Sequence, residues 1–233
     1  MIEHVVNGYL SSDFFPASKG LLWGIDNVIY GFHMQLFMMV SGYLFSRAYF
    51  NEDEVPDRKR ILKRVFNHLA VYFVFSFIYG LVKIGIDALS GISLNRTITW
   101  VDIAAIPIKP IDLFWYLYVL MLFYLVFSLE RLKKAPPMII MGILVLLSFC
   151  SRFISFPWFS VGNLLFYAIF FYMGILKEKR NKFLDSFWVT AISFVAAVAL
   201  WILFWREPFT VPRLIHYTPI AGTVVGLGGA LMV

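Results

Sequence analysis

Two histidines lie in apolar segments of the 233-residue chain, where an imidazole could take part in chemistry. His4 follows Glu3 near the N-terminus, and His33 lies near the middle of a long apolar run. Because an imidazole titrates near neutral pH, such a histidine can act as a base or carry a proton. The structural alternatives are an exposed residue of a frayed N-terminus for His4 and a buried hydrogen bond between helices for His33.

The apolar run that contains His33, residues 24–45, also carries a stripe of polar side chains. In a helix with about 100° between successive residues, the stripe falls within about 80° of the helical wheel. Its members are Asp26, Tyr30, His33 and Ser41. An unpartnered polar group is costly in hydrocarbon, so the stripe should face other helices or a water-filled cavity.

A basic run at residues 58–64 leads directly into the next apolar block. Its residues Arg60, Lys63 and Arg64 are spaced i, i+3 and i+4, so a helix presents three cations on one face. Such a face suits a polyanion such as a nucleotide phosphate. The same run would serve equally as an anchor to anionic lipid, and the residues alone leave both interpretations open.

Motifs for other kinds of chemistry are absent from the sequence. There is no HExxH, CxxC or carboxylate cluster with ligand spacing, so we expect no metal site. There is also no GxSxG motif and no phosphate-binding P-loop. Trp115 and Tyr116 open an apolar block near its boundary, where an aromatic belt is the default explanation. Lys83 and Asp87 are four residues apart and are expected to pair.

The composition indicates the kind of protein that must position these residues. The chain is 61% hydrophobic and only 15% charged, whereas soluble domains are about 45–50% apolar and about 25% charged. The apolar residues come in blocks of about 20, which favours helices. We predict an all-α, polytopic transmembrane helix bundle that forms a single domain over residues 1–233. About eight spans are expected, at residues 1–10, 24–45, 65–89, 112–129, 137–155, 160–176, 187–205 and 216–233.

The basic residues predict the orientation of these spans. Alternate loops hold 13 Lys and Arg residues on one side and six on the other, so the richer side is predicted to be cytoplasmic. Their position in short loops between apolar blocks does not resemble a nucleic-acid footprint. The first span covers only about 15 Å, and the chain stops within an apolar run. We therefore expect a fragment, with its first span incomplete and further spans missing.

Several segments resemble one enzyme family. FHMQLFMMVSGYLF at 32–45 resembles the FHMPLFFFLSGYLF signature of the acyltransferase 3 family of membrane O-acyltransferases. EHVVNGY at 3–9, KRILKR at 59–64, DLFWYLYVL at 112–120 and FFYMGIL at 170–176 resemble other family segments in the same order. The branch resembled most is that of the fucose 4-O-acetylase-like proteins. Two positions depart from the family: its arginine before the first histidine would precede Met1, and Gln35 replaces a proline.

The resemblance implies transfer of an acyl group, usually acetyl from cytoplasmic acetyl-CoA, to a hydroxyl of a sugar or cell-envelope glycan. The membrane would be a bacterial inner membrane, with the basic loops in the cytoplasm. His4 would take the proton of the acceptor hydroxyl or relay the acyl group, with His33 as the second candidate. Positions matching those proposed to hold the coenzyme A phosphates are Arg60, Lys63 and Arg64. The substrate-binding residues would be Asp26, Tyr30, Ser41, Trp115 and Tyr116.

Two other interpretations remain open. In a transporter or flippase of envelope glycans, intramembrane Asp26, His33, Lys83 and Asp87 would form a proton or substrate pathway. Transporters often contain two matching halves, and no such repeat is visible here. An inactive family member with a scaffolding role is the third possibility.

Overall fold

The computed structural model describes residues 19–49, 58–90, 97–111, 114–129, 132, 135–154, 156 and 158–178, without the side chains of 19–32, 90, 152, 177 and 178. This part of the chain is helical and contains no strand. His4 and the predicted spans at 1–10, 187–205 and 216–233 lie outside the described residues. The number of eight spans stays a prediction.

Each of the second to sixth predicted spans overlaps a helix. The helices are α1 (Lys19–Tyr49), α2 (Arg58–Ser90), α3 (Trp100–Ala104), α4 (Trp115–Phe127), α5 (Pro137–Cys150) and α6 (Val161–Glu178), with 3₁₀ turns at Ser151–Phe153 and Trp158–Ser160. The helix α2 begins seven residues before the predicted span at 65, because its basic first turns are helical although they are not apolar.

Two stretches of the described chain are long and apolar enough to cross a bilayer, at Arg58–Leu89 and Trp158–Leu176. The 33 residues of α2 extend about 50 Å, whereas the hydrocarbon is about 30 Å thick. The ends of α2 therefore reach beyond the hydrocarbon. In contrast, α4 and α5 have 13 and 14 residues, or about 20 Å each, and neither can cross alone.

The chain divides into two compact units, one formed by Met1–Arg47 with Ile169–Val233 and the other by Ala48–Ala168. In the first unit, α1 crosses the end of α6 at two glycines. A β-carbon added to Gly42 would collide with the Phe171 carbonyl group, and one added to Gly174 would collide with that of Met39. The two backbones are therefore in contact, as small residues permit between membrane helices. Beside the crossing, the rings of Phe45 and Phe171 lie 5.5 Å apart.

In the second unit, α2 packs against α4. The ring of Tyr72 lies 5.4 Å from that of Tyr118, and the ring of His68 lies 5.4 Å from that of Tyr124. Along this interface the residue numbers of α2 decrease as those of α4 increase, so the two helices are antiparallel. The buried residues of α2 repeat at intervals of three, four and seven, as expected of a helix with one packed face: Ile61, Val65, Tyr72, Ser76, Gly80 and Lys83.

The segment that connects α2 to α4 is held by hydrogen bonds to three consecutive backbone carbonyls. The Tyr72 hydroxyl donates to the Ile106 carbonyl oxygen (2.5 Å), and the Tyr118 hydroxyl donates to that of Pro107 (3.2 Å). The Phe159 amide donates to the Ile108 carbonyl oxygen (2.6 Å). The connection is thus a fixed part of the second unit.

Candidate functional site

The basic end of α2, defined by Arg60, Lys63 and Arg64, has the geometry that the spacing predicts. All three residues are helical, and all three are exposed. The first turns of α2 can therefore present three cations to a ligand or to lipid headgroups. Their role in binding phosphate stays a prediction.

Two neighbouring residues, His68 and Tyr124, lie against Arg64. Its carbonyl oxygen accepts a hydrogen bond from His68 Nδ1 at 2.8 Å, and its side chain lies within hydrogen-bonding reach of the Tyr124 hydroxyl. Tyr124 is buried, with the His68 ring at 5.4 Å and the Tyr49 ring at 6.3 Å. Since a guanidinium carries five N–H donors, a bond to Tyr124 leaves most of them for an anion.

Sequence reasoning missed this role of Tyr124, because α4 is apolar throughout and gives no sign of which residue faces α2. The spacing of His68 four residues after Arg64 was the available signal, since it places both on one helix face.

Trp115 and Tyr116 begin α4 within a group of aromatic rings. Trp115 stacks on Tyr167 of α6, with centroids 5.2 Å apart and 29° between the planes. Tyr116 meets Trp115 edge to face at 6.5 Å. The structure therefore brings together the two predicted substrate-binding aromatics and gives Trp115 a packing partner. The role of Trp115 and Tyr116 in binding substrate stays a prediction.

The connection before α4 carries an ion pair that the sequence analysis did not single out. Lys109 Nζ lies 3.3 Å from Asp102 Oδ1, and the two side chains are 33% and 22% exposed. The other oxygen of Asp102 accepts hydrogen bonds from the Thr99 amide and hydroxyl, which lower the pKa of the Asp102 carboxyl together with Lys109. The bond from the Thr99 amide and the reciprocal bond from the Asp102 amide to Thr99 Oγ1 form a capping box, which the T-x-x-D sequence at 99–102 could have signalled.

The polar stripe lies on α1, although the side chains of Asp26 and Tyr30 are outside the described residues. His33 and Ser41 are half-buried. On the same face of the helix, Phe37 is 56% and Leu44 is 54% exposed. The described half of the stripe is thus only partly buried, and its expected position against other helices or a water-filled cavity stays a prediction.

The packed face of α1 is the opposite one, with Gln35, Met38, Met39, Gly42, Phe45 and Ser46. Gln35, at the position of the family's proline, is 4% exposed, and its Oε1 has no hydrogen-bond partner among the described residues. Because His33 is two residues earlier, Gln35 and His33 lie on opposite sides of the helix.

Lys83 contacts an aromatic ring, and its expected pairing with Asp87 stays a prediction. Lys83 is 8% exposed, and its Nζ lies over the ring of Tyr79, 5.4 Å from the centroid. Asp87 Oδ1 is buried without a hydrogen-bond partner in the described part of the chain. No group of three His, Cys, Asp or Glu side chains is placed to hold a metal within the described ranges.

Comparison with known families decides the class of the protein. The family model of an acyltransferase domain, acyltransferase 3, matches residues 1–233. The chain belongs to the acyltransferase 3 family. Together with the apolar helices, this makes the chain an acyltransferase and an integral membrane protein. Comparison with curated proteins and with solved structures gives no match. The roles of individual residues in the acyltransferase 3 domain stay predictions.

Proposed function

We propose that this acyltransferase moves an acetyl group from acetyl-CoA to a hydroxyl of a sugar or cell-envelope glycan, as in the fucose 4-O-acetylase-like branch. The observation that carries the donor assignment is the exposed cationic face at the basic end of α2. Three cations on one face, with Arg64 beside Tyr124, suit the phosphates of coenzyme A. The basic end would lie on the cytoplasmic side of a bacterial inner membrane.

In the proposed reaction, the acceptor oxygen bonds to the acetyl carbonyl carbon while its proton passes to an imidazole. The carbon–sulfur bond then breaks, and the imidazole returns the proton to the coenzyme A thiolate. We assign the imidazole to His4, with His33 as second candidate. Hydrogen bonds to the acceptor are assigned to Asp26, Tyr30 and Ser41, and ring contacts to Trp115 and Tyr116.

The donor assignment can be tested by coenzyme A binding to the chain in lipid nanodiscs. A charge-assisted hydrogen bond contributes about 1.5–3 kcal/mol, so Arg64→Gln or Lys63→Gln should each weaken binding roughly 10- to 100-fold. Arg58→Gln is the matched control, because Arg58 is also exposed but lies on the opposite face of α2. Equal effects of all three variants would show a general charge effect and would contradict a specific phosphate site.

A second measurement tests the alternative that the basic end is a lipid anchor. If the basic end only anchors anionic lipid, coenzyme A will not bind in neutral nanodiscs, and the substitutions will change lipid preference instead.

The catalytic assignment is tested by supplying labelled acetyl-CoA with isolated envelope glycans. Transfer that is lost in His4→Ala supports the base assignment, and unchanged transfer in that variant refutes it. Glycan movement without acetylation would favour a transporter.

A further inference from the structure

The connection between α2 and α4 runs along α2 rather than staying at its end. Ile103 and Ile111 both lie against Gly80, where a β-carbon would be 3.0 Å from Ile103 Cγ1 and 3.9 Å from Ile111 Cδ1. Between them, the Ile106 carbonyl accepts the hydrogen bond from Tyr72. Gly80 is about 15 Å and Tyr72 about 27 Å from the last residue of α2. The chain thus runs from Gly80 towards the basic end of α2, reaches Tyr72 at Ile106, and comes back to Gly80 at Ile111.

The start of α4 lies at a similar depth. The ring of Phe114, which precedes α4, packs on the ring of Tyr79, with centroids 5.7 Å apart. Tyr79 is 11 residues, or about 16 Å, before the end of α2. The predicted fourth span at 112–129 contains α4, whose 13 residues are fewer than a helix needs for a complete crossing. A helix of about 20 Å covers the part towards the basic end, and irregular chain covers the remainder.

The amide and carbonyl groups of irregular backbone at this depth must form hydrogen bonds with protein or with water, because lipid offers none. Protein groups satisfy the carbonyls of Ile106, Pro107 and Ile108. The ion pair of Asp102 and Lys109 belongs to the same segment and is partly exposed. Charged side chains inside a membrane face the protein interior or a water-filled cavity. A small cavity is in fact lined by Ile98, Asp102, Lys109, Pro110 and Ile111.

We propose that residues 98–111 are a re-entrant loop lining a water-filled vestibule, which opens at the end of α2 opposite the basic end. The vestibule admits the hydroxyl acceptor, whose hydroxyl groups the Asp102 carboxylate and Lys109 ammonium can both bind. The assignment of the acceptor rests on the proposed function. The vestibule itself rests on the position of the loop along α2.

The reactivity of single cysteines tests for water in the vestibule. The natural Cys150 is first replaced by serine, and Ile108→Cys and Lys109→Cys are then introduced separately. Ile108 is 37% exposed and lies two residues from the deepest contact. Phe75→Cys is the control, because Phe75 is 54% exposed and only three residues from Tyr72 on α2. Each variant is checked by size-exclusion chromatography and treated in nanodiscs with a charged, water-soluble methanethiosulfonate.

The reagent reacts with the thiolate, which forms in water and not in hydrocarbon. We therefore expect both loop cysteines to react roughly tenfold faster, or more, than Phe75→Cys. Equally slow reaction of loop and control cysteines would overturn the vestibule. Equally fast reaction would overturn the depth argument, because this level of α2 would then lie in water. Two loop variants guard against one that fails to fold.

The acceptor assignment has its own readout. Modified Ile108→Cys should lose acetyl transfer while it keeps coenzyme A binding, since the label blocks the vestibule and leaves the basic end unchanged. Full transfer after modification would overturn the acceptor route, although the vestibule would stand. Absence of coenzyme A binding and of transfer in the unmodified natural chain would instead count against the proposed function.

Discussion

The glycine crossing of α1 and α6 allows a quantitative test of how the first unit is held together. An ideal β-carbon on Gly174 would lie 2.7 Å from the Tyr43 nitrogen, whereas ordinary contacts begin at 3.4 Å. The obstacle is backbone on both helices, so no side chain can turn away to make room. Gly174→Ala should therefore push the helices apart by at least about 0.7 Å.

The energetic cost follows from this separation. A gap of about 0.5–1 Å forfeits roughly a quarter to a half of each van der Waals contact across the interface. Phe45 and Phe171 are both fully buried beside the crossing and would lose contact together. Overpacking of this kind costs about 1–3 kcal/mol, a large part of a net stability of about 5–15 kcal/mol. Gly42→Ala should cost a similar amount. In the double variant the costs should not add, because one separation accommodates both methyl groups.

The assay is unfolding in detergent micelles, followed by circular dichroism. Gly85→Ala and Gly142→Ala are matched controls, because a β-carbon at either position meets nothing within 4 Å. Both controls should stabilise the protein by about 0.5–1 kcal/mol, since alanine is the better helix former. If Gly174→Ala is as stable as these controls, the backbones do not touch and the reasoning fails.

Two further substitutions test the second unit. Tyr72→Phe should destabilise the protein by about 1–3 kcal/mol in the same unfolding assay, because the Ile106 carbonyl loses its donor; no measurable change would contradict that bond. Tyr124→Phe should weaken coenzyme A binding roughly 2- to 10-fold, because Arg64 loses a partner that orients it, and Arg64→Gln should abolish this difference. Tyr118→Phe, which removes a hydroxyl from the same helix at Pro107, should bind normally; a similar loss there would indicate a general packing defect.

The helices could be predicted from apolar blocks because hydropathy reports which segments avoid water. Hydropathy cannot report where a helix continues into charged turns. The predicted span at 65–89 therefore omits the first seven residues of α2. Hydropathy also predicted a span at residues 112–129, within which the structure describes a helix of 13 residues, α4. Ile106 and Ile111, which precede α4, are buried although neither is helical, and composition does not distinguish a buried loop from a buried helix.

The candidate site was predictable where its residues share one helix. Arg60, Lys63 and Arg64 follow from helical spacing, and the structure places them on one exposed face. The contacts of Tyr124 depend on how α4 returns to α2, and the pair of Asp102 with Lys109 depends on how the loop between them folds. Helical spacing predicts neither kind of contact, because one joins two helices and the other lies in a loop. The stripe on α1 was correctly spaced, but spacing did not reveal that the opposite face is the packed one.

The brevity of α4 also constrains how the chain enters the membrane during synthesis. A helix of 13 residues is too short to be recognised as a complete span, and the segment before it carries an ion pair and carbonyls that need donors from elsewhere in the chain. Those carbonyls find hydrogen-bond donors on Tyr72 of α2 and on Tyr118 of α4 itself. The loop and α4 should therefore remain in the insertion machinery until α2 is beside them, and enter the bilayer with it as one hairpin. A nascent chain that ends before α4 would leave α2 inserted without the partner that covers its packed face.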